Sequence, residues 1–218
     1  MRVFGSGEEH ISKRVIDWCL PDYTYVIGEI GINHNGDLDL AKKLISVAAG
    51  AGCDAVKFQK RSVDIVYSES ALNSQRDSPW GTTQRHQKEG LEFGLQEYKE
   101  IDATCRDLGL SWSASAWDLP SLDFVEAFTP PFHKIASAML TNLQFVSEVA
   151  GKGRLTLIST GMASISDVDA AVDIFRAAKT PFWLLHTVST YPTPEEDLNL
   201  SVIPTLQNRY EVPVGYSG

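Results

Sequence analysis

The sequence predicts a parallel α/β barrel, and three observations support that fold class. Apolar runs typical of buried parallel strands alternate with stretches whose apolar residues repeat at helical spacing. Many of these runs carry Ser, Thr, Lys, Gln or Glu near their ends. The first strand is not followed by the glycine-rich dinucleotide-binding fingerprint that a doubly wound sheet would carry there. We therefore expect a TIM (β/α)8-type barrel that is incomplete, with seven readable strands.

The predicted elements follow one another in a regular order. An opening strand leads to a helix that Asp37 caps and that Gly50 and Gly52 end. Ser164 and Asp167 have the spacing of a capping box, which predicts the start of a later helix. The seven strands are expected near residues 26–32, 54–59, 110–117, 132–137, 155–159, 182–187 and 212–216.

Two segments depart from this strand and helix rhythm. Residues 1–24 show no long apolar period, and we expect them to form a lead-in strand or hairpin that covers the bottom of the domain. Residues 60–94 are long for a loop in a compact domain, which fits a functional loop or lid and fits a surface excursion nearly as well. The barrel domain itself is then residues 25–218.

Composition narrows the possible functions. The 218 residues carry a net charge of −9, which disfavours nucleic-acid binding because cationic side chains supply most of that affinity. No apolar run approaches the roughly 20 residues of a membrane span, and no signal peptide is apparent, so we expect a cytoplasmic protein without a membrane partner. The cysteines Cys19, Cys53 and Cys105 are widely spaced, which argues against a disulfide framework or a structural zinc site.

Candidate chemistry lies at the carboxyl ends of the strands, where barrels of this kind place their active sites. Glu29 is a carboxylate within an apolar strand, so it must be hydrogen-bonded, paired or used in catalysis. Lys57 and Lys134 come from different strands and are surrounded by serine and threonine hydroxyls at the ends of the strands. Ammonium groups neutralise phosphate and hydroxyls donate to its oxygens, which predicts a phosphate or carboxylate pocket. The strand ends carry Glu29, Asn33, Lys57, Gln59, Ser113, Ser115, Lys134, Ser137, Ser159, Thr160, His186, Ser189, Tyr191 and Ser217.

Each of these candidates also has a structural interpretation. Glu29 could anchor a loop, and either lysine could pair with a buried acid. Lys57 or Lys134 could instead be the Schiff-base lysine of a barrel aldolase, which needs a pKa lowered by burial and by a neighbouring cation. His186 stands without a metal-binding spacing and is expected to be a core histidine, and the Trp and Phe residues are expected in the core.

Six ordered motifs, from about residue 25 to the last, resemble the sialic acid synthase (N-acetylneuraminate synthase) family. They are EIGINHNG (29–36), VKFQ (56–59), KIAS (134–137), STGM (159–162), YPTP (191–194) and GYSG (215–218). The resemblance implies a barrel enzyme that condenses phosphoenolpyruvate with an N-acetylated sugar aldehyde, such as N-acetylmannosamine, to give a nonulosonic acid and phosphate. It also implies a divalent metal, Mn2+ or Mg2+, and a homodimer in the full-length form.

Roles for individual residues follow from the same resemblance. The catalytic set would be Glu29, Lys57 and Lys134, with Glu29 as the general acid/base or the group that orients water. Phosphoenolpyruvate would be held by Lys57, Ser115, Lys134, Ser137, Ser159 and Ser217. The sugar would face Gln59, Ser189 and Tyr191.

The chain also departs from the family pattern. Met139 stands where members often have an acidic residue, and Ser189 stands where some have asparagine. The metal-binding histidine that should follow Gly218, a second on the eighth strand, and the C-terminal antifreeze-like domain are not in this sequence. We therefore expect no metal ligands here and a barrel cut off after its seventh strand. The alternative to a synthase or an aldolase is a non-catalytic, anion-binding remnant.

Overall fold

The computed structural model describes residues 23–218, and the predicted lead-in segment falls almost entirely outside them. Seven of the strands in this range form one parallel sheet, in which each strand pairs with the next sheet strand along the chain. These strands are β1 (Ile27–Gly31), β2 (Ala55–Lys60), β5 (Ser111–Ala116), β6 (His133–Ile135), β7 (Thr156–Ser159), β8 (Phe182–Thr187) and β9 (Val214–Ser217). The hairpin strands β3 (Gln75–Ser78) and β4 (Gly81–Thr83) form a separate antiparallel pair.

Helices connect the sheet strands and cover the outer face of the sheet. They are α1 (Leu38–Gly50), α2 (Val63–Val66), α3 (Glu69–Leu72), α4 (Gln84–Leu91), α5 (Leu95–Asp107), α6 (Leu119–Glu126), α7 (Leu143–Gly151), α8 (Ile165–Ala178) and α9 (Val202–Tyr210). A short 3-10 turn at Ser137–Met139 follows β6, and a second at Glu195–Asp197 precedes α9. None of the helices that residues 23–218 form is both long and apolar enough to cross a membrane.

The predicted helix caps are confirmed. The Asp37 carboxylate accepts a hydrogen bond of 3.0 Å from the backbone N–H of Leu40 at the start of α1. Ser164 and Asp167 form the capping box of α8, in which each side chain accepts from the other residue's backbone N–H. These bonds satisfy donors that the first turn of a helix leaves without intrahelical partners.

The sheet is curled, since its two edge strands line the same cavity. Ile27 and Glu29 of β1 face that cavity, and so do Gly215 and Ser217 of β9. Within the described residues β1 and β9 do not pair with each other. The predicted barrel class is therefore confirmed as a half-barrel of seven parallel strands with helices on its outside.

The core consists of two layers of side chains on opposite faces of the sheet. The outer layer packs strand residues such as Phe58 and Ile158 against helix residues such as Ile45 and Phe175, all without solvent exposure. Complete burial of one such side chain contributes about 1.5–3 kcal/mol. The smaller inner layer fills the bottom of the barrel with Ala55, Phe132, Leu155 and Leu157, and Tyr25, Ile27, Trp183 and Leu185 pack against it.

Residues 60–94 contain regular structure, which their polar composition did not reveal. Helices α2 and α3, the β3–β4 hairpin and α4 lie in this segment. The tip of the hairpin carries Trp80, whose ring lies so close to Gly90 that a Cβ added there would be 2.3 Å from ring atoms. A Cβ on Gly36 would be 2.1 Å from the Gly90 carbonyl oxygen and 3.2 Å from Trp80. The insertion is thereby packed against the loop between β1 and α1.

Candidate active site

A cavity of about 640 Å³ lies inside the curled sheet. Most of the polar residues predicted from the strand ends contribute to its wall. The predicted residues that line it are Glu29, Lys57, Gln59, Ser115, Lys134, Ser137, Ser159 and Ser217. The apolar floor is formed by inner-layer residues that include Ile27, Leu157 and Leu185.

Strand register explains why these side chains meet. Paired residues on neighbouring parallel strands project to the same face of the sheet. Glu29 pairs with Lys57 across β1 and β2. Gln59 pairs with Ser115, which in turn pairs with Lys134, so three strands place polar groups in one row. Side chains alternate between the two faces of a strand. The outer-layer residues therefore face the helices, and these polar residues face the cavity.

Lys134 is the most deeply buried lysine of this site, with 7% of the residue exposed. Its ammonium group donates hydrogen bonds to the hydroxyl of Ser159 and, at 3.0 Å, to the backbone carbonyl of Ile135. Burial lowers the pKa of Lys134 well below its ordinary value, and the positive charge of Lys57 lowers it further, while Glu29 acts in the opposite direction. An anion placed beside Lys134 would therefore stabilise its protonated form.

Lys57 joins Glu29 to the serine hydroxyls. Its ammonium group forms an ion pair with the Glu29 carboxylate and donates a 3.1 Å hydrogen bond to the hydroxyl of Ser115. The Glu29 side chain is 40% exposed, because it faces the open cavity rather than a covered layer of the sheet. The pairing expected from a structural interpretation of these residues thus occurs, but it occurs within the cavity.

The end of β1 holds Glu29 in place through an irregular turn. The register with β2 shifts between Glu29 and Gly31, and Gly31 has a φ of +55°. A Cβ on Gly31 would lie 2.9 Å from Glu29 Oε1, so glycine leaves room for the carboxylate. His34 hydrogen-bonds to the backbone of Gly31, accepts from the N–H of Gly36 at 3.1 Å and stacks on Phe93 at 4.1 Å. The EIGINHNG motif therefore packs and hydrogen-bonds around the turn that carries its own carboxylate.

The remaining predicted residues lie outside the cavity lining. Ser189 is close to the site, since a Cβ on Gly161 would be 2.5 Å from its hydroxyl and 2.8 Å from that of Ser137. Tyr191 is 92% exposed, on the loop after β8. Ser113 donates to the carbonyl of Phe132, as expected of a structural hydroxyl. Asn33 is exposed, Thr160 hydrogen-bonds to the carbonyl of Leu185, and buried His186 hydrogen-bonds to the carbonyl of Leu198.

Several cavity residues were not predicted. Trp117 and Trp183 line the cavity, and Trp183 also packs against the inner layer of the core. The expectation that tryptophans belong to the core is therefore wrong for Trp117, and also for Trp80, which is 36% exposed. Thr187 also lines it and donates a 3.0 Å hydrogen bond to the hydroxyl of Ser159. The period-2 alternation of β8 contained the signal for Thr187, because Trp183, Leu185 and Thr187 share a face.

The residues of this site do not fit a metal centre by themselves. Among the described residues, no three His, Cys, Asp or Glu side chains come together in a way that could hold a metal ion. Glu29 is the one such residue on the described cavity wall, and its carboxylate is paired with Lys57. We therefore assign no chemical step of residues 23–218 to a metal.

Comparison with known proteins identifies relatives of this chain. The model of the NeuB family matches residues 44–218. N-acetylneuraminate-9-phosphate synthase of Drosophila melanogaster is 39% identical over 208 residues, which cover 94% of this chain and 56% of that protein. N,N'-diacetyllegionaminic acid synthase of Legionella pneumophila is 33% identical over 205 residues, covering 88% of this chain and 56% of that protein. The chain thus spans about half the length of the curated relatives it matches.

A solved structure shares both the sequence pattern and the fold. The crystal structure of N-acetylneuraminic acid (sialic acid) synthetase from Leptospira borgpetersenii, in complex with citrate, superimposes with a TM-score of 0.79 at 34% identity. The match covers 88% of this chain and 64% of that chain. Sequence and fold agree, and the chain belongs to the NeuB family of sialic acid synthase-like proteins.

Proposed function

We propose that this chain carries the phosphoenolpyruvate site of a nonulosonic acid synthase. The reaction joins phosphoenolpyruvate to an N-acylated sugar aldehyde and consumes one water, and its products are a 2-keto acid of the sialic type and phosphate. Family membership supports the product class, because the relatives are named as synthases of sialic and legionaminic acids. The cavity supports the anionic substrate.

The observation that carries the proposal is the convergence of Lys57 and Lys134 in one cavity. They come from β2 and β6, and each already donates to a serine hydroxyl of the cavity wall. Two ammonium groups beside four serine hydroxyls suit a ligand that has both a phosphate and a carboxylate. The four serines are Ser115, Ser137, Ser159 and Ser217.

We propose that Glu29 exchanges protons with the reactants. In the proposed sequence, C3 of phosphoenolpyruvate forms the new bond to the aldehyde carbon, and the aldehyde oxygen takes up a proton. Water then adds at C2 and loses a proton, and the C–O bond to phosphate breaks to leave the 2-keto acid. A carboxylate at the cavity wall beside Lys57 can orient that water and exchange its proton, while the lysines stabilise phosphate charge.

The sugar end of the site is the less complete part. We assign Gln59, Ser189 and Tyr191 to the sugar, with Gln59 on the cavity wall, Ser189 beside Ser137, and Tyr191 exposed on the following loop. Met139 packs against the outer-layer core instead of entering the cavity, so its thioether adds no polar contact there. The acceptor that we propose is an N-acylated sugar aldehyde of the N-acetylmannosamine type. Residue 139 would make no polar contact to it.

A second candidate function is supported by one observation. The lowered pKa of Lys134, caused by burial and by Lys57, is the property that a Schiff-base aldolase needs. Such an aldolase would be trapped by borohydride in the presence of pyruvate, with the modification on Lys134 or Lys57. The proposed synthase reaction has no covalent enzyme intermediate, so borohydride would leave both lysines unmodified.

Phosphate release from phosphoenolpyruvate tests the proposal. The assay would use a panel of N-acylated sugars with Mn2+, and it would compare this chain with a version extended by the segment that the relatives have beyond the matched region. Sugar-dependent release by either form supports a synthase. Binding of phosphoenolpyruvate without release in either form would show an anion-binding module instead, and borohydride trapping would identify the aldolase.

A further inference from the structure

The side-chain oxygen of Gln59 accepts a hydrogen bond from the buried side chain of Arg61, two positions along the chain. This contact determines which hydrogen-bonding group Gln59 presents to a substrate. We propose that Arg61 is a positioning residue that fixes the Gln59 amide, so that Gln59 Nε2 faces the cavity as a hydrogen-bond donor. The substrate group opposite it is then a hydrogen-bond acceptor, a carbonyl or hydroxyl oxygen. This inference rests on the proposed function, which assigns Gln59 to the sugar.

The Arg61 guanidinium is held from several sides. Only 7% of the residue is exposed. Nη2 donates to Gln59 Oε1 at 2.5 Å, and Nη1 donates to the Tyr67 hydroxyl at 2.8 Å. Nε forms an ion pair with a Glu92 carboxylate oxygen at 2.9 Å. The guanidinium carbon is 5.4 Å from the ring centre of Trp117, which lines the cavity.

The chemistry of the guanidinium determines the orientation of the amide. Arginine has only donors, so the group of Gln59 that faces it must be the carbonyl oxygen. The NH2 group is then directed away from Arg61. Gln59 Nε2 and Glu29 Oε1 lie 3.5 Å and 2.9 Å from the same point, the position that a Cβ on Gly31 would occupy. A donor and a carboxylate therefore stand side by side at the end of β1.

Arg61 also connects this donor to the insertion. Tyr67 and Glu92 both belong to residues 60–94, and Glu92 is shared with Lys60 at 3.2 Å. The backbone of Gln59 is fixed separately, because the Tyr98 hydroxyl donates to its carbonyl at 3.0 Å. Loss of the guanidinium fork would release the side-chain amide while the strand stays in place. In such a variant, binding of the sugar would also have to order the Gln59 amide, whereas in the native protein this amide is ordered before the sugar binds.

A double-mutant cycle on Arg61 and Gln59 tests this inference. Equilibrium binding of N-acetylmannosamine and, separately, of phosphoenolpyruvate would be measured by NMR titration for the wild type, Arg61→Lys, Gln59→Met and the double variant. Lysine keeps the charge but cannot reproduce the planar fork. We expect Arg61→Lys to weaken N-acetylmannosamine binding about tenfold and to change phosphoenolpyruvate binding by less than about twofold. The double variant should bind the sugar as Gln59→Met does, within about twofold.

Two further variants make the result specific. Arg76→Lys makes the same exchange at an exposed arginine of β3 and should change neither affinity. Gln59→Glu keeps Arg61 and the size of the side chain but presents only acceptor oxygens to the cavity. It should therefore weaken sugar binding at least as much as Gln59→Met. This variant tests the orientation even if Arg61→Lys does not fold.

Several outcomes would overturn the inference. Equal loss of both ligands in Arg61→Lys would show a structural role, and additive effects in the double variant would show that Arg61 does not act through Gln59. Wild-type affinity for the sugar in Gln59→Glu would mean that an oxygen faces the cavity. A wild type that binds both ligands, with no effect of Arg61→Lys, overturns this inference alone. A wild type that binds neither ligand overturns the proposed function and this inference with it.

Discussion

Glu29 and a bound anion would compete for the same ammonium group. Lys57 is paired with the Glu29 carboxylate in the structure, and the phosphoenolpyruvate proposed for the cavity would bring a second negative charge to it. The ion pair holds the Lys57 side chain at the cavity wall, but the negative charge of Glu29 also opposes the approach of a phosphate. Repulsion between a carboxylate of the site and an anionic ligand is expected where the carboxylate serves catalysis rather than ligand affinity.

The substitution Glu29→Gln separates these two roles. We expect turnover to fall by about a hundredfold or more, which is the usual range for loss of a general acid/base group. Affinity for phosphoenolpyruvate should stay the same or rise, because the amide no longer competes as an anion for Lys57. Phosphate release and phosphoenolpyruvate titration on a form that shows turnover would measure both. Weaker phosphoenolpyruvate binding in Glu29→Gln would instead assign the carboxylate a structural role.

His34 makes the support of β1 sensitive to acid. Burial lowers the pKa of His34 from 6.5 to about 4; the hydrogen bond to the backbone of Gly31 raises it, and the charge of Arg61 lowers it. The folded protein thus holds neutral imidazole, whereas the unfolded chain binds a proton below about 6.5. The stability that His34 contributes is complete above pH 6.5 and is lost as the pH falls toward about 4.

Replacing His34 with phenylalanine should remove this pH dependence. The ring keeps the stacking on Phe93 but cannot titrate, and it leaves the N–H of Gly36 without its partner. We expect His34→Phe to be less stable at pH 7 but to lose less stability than the wild type between pH 6.5 and 4. Urea unfolding at several pH values measures this difference. Parallel pH curves for the two proteins would show that His34 does not control the acid response.

At the scale of elements, the insertion between β2 and α5 is a packed unit. Trp80 at the tip of its hairpin contacts Gly90 of α4 and Gly36 of the β1–α1 loop. On the surface of the same unit, Arg85 pairs with Asp64, Glu69 and Glu89. A lid function for this unit stays a prediction. Its contact with the loop that supports Glu29 means that a change in its packing would reach the site.

The substitution Gly90→Ala tests how closely this unit is packed. Alanine should favour an α-helix by about 1 kcal/mol over glycine, but its Cβ would lie 2.3 Å from the Trp80 ring. We expect net destabilisation of about 1–3 kcal/mol from overpacking, measured by urea unfolding. Gly50→Ala is the matched control, since a Cβ at this last residue of α1 meets nothing within 4 Å and should be neutral or stabilising.

A background substitution identifies the cause of that loss. In Trp80→Ala protein the ring is gone, so Gly90→Ala should become neutral or stabilising through its helix propensity. Destabilisation that persists without the ring would show that Trp80 is not the group that excludes a side chain from position 90.

The elements differed in how far the sequence could predict them. The seven sheet strands and the caps at Asp37 and Ser164 follow from apolar runs and local capping chemistry, which neighbouring residues determine. The β3–β4 hairpin has no apolar alternation, because its strand residues are largely polar and exposed. Its position depends on Trp80 packing against two distant glycines, and this information is tertiary.

At the scale of the whole molecule, the same distinction applies to the site. The topology of parallel strands brings Lys57, Lys134 and Ser159 to one cavity wherever the intervening helices lie, so strand-end residues were predictable. Arg61 was not predicted as part of the site, since it follows the last residue of β2 and its partners lie in the insertion. The cavity thus combines residues fixed by sheet register with residues fixed by packing between loops.

Phosphoenolpyruvate should stabilise the whole fold, because the proposed site includes residues from most of the sheet strands. A ligand that binds only the folded state adds about 2.7 kcal/mol at a hundred times its dissociation constant, which corresponds to a rise in Tm of roughly 5 °C or more. The anion should also raise the pKa of Lys134, which burial and Lys57 hold low, so binding should take up protons. Thermal unfolding, and calorimetry in two buffers of different ionisation enthalpy, measure these effects. Lys134→Met should abolish both, whereas Lys99→Met, at an exposed position of α5, should keep them; a full Tm rise in Lys134→Met would place the anion elsewhere.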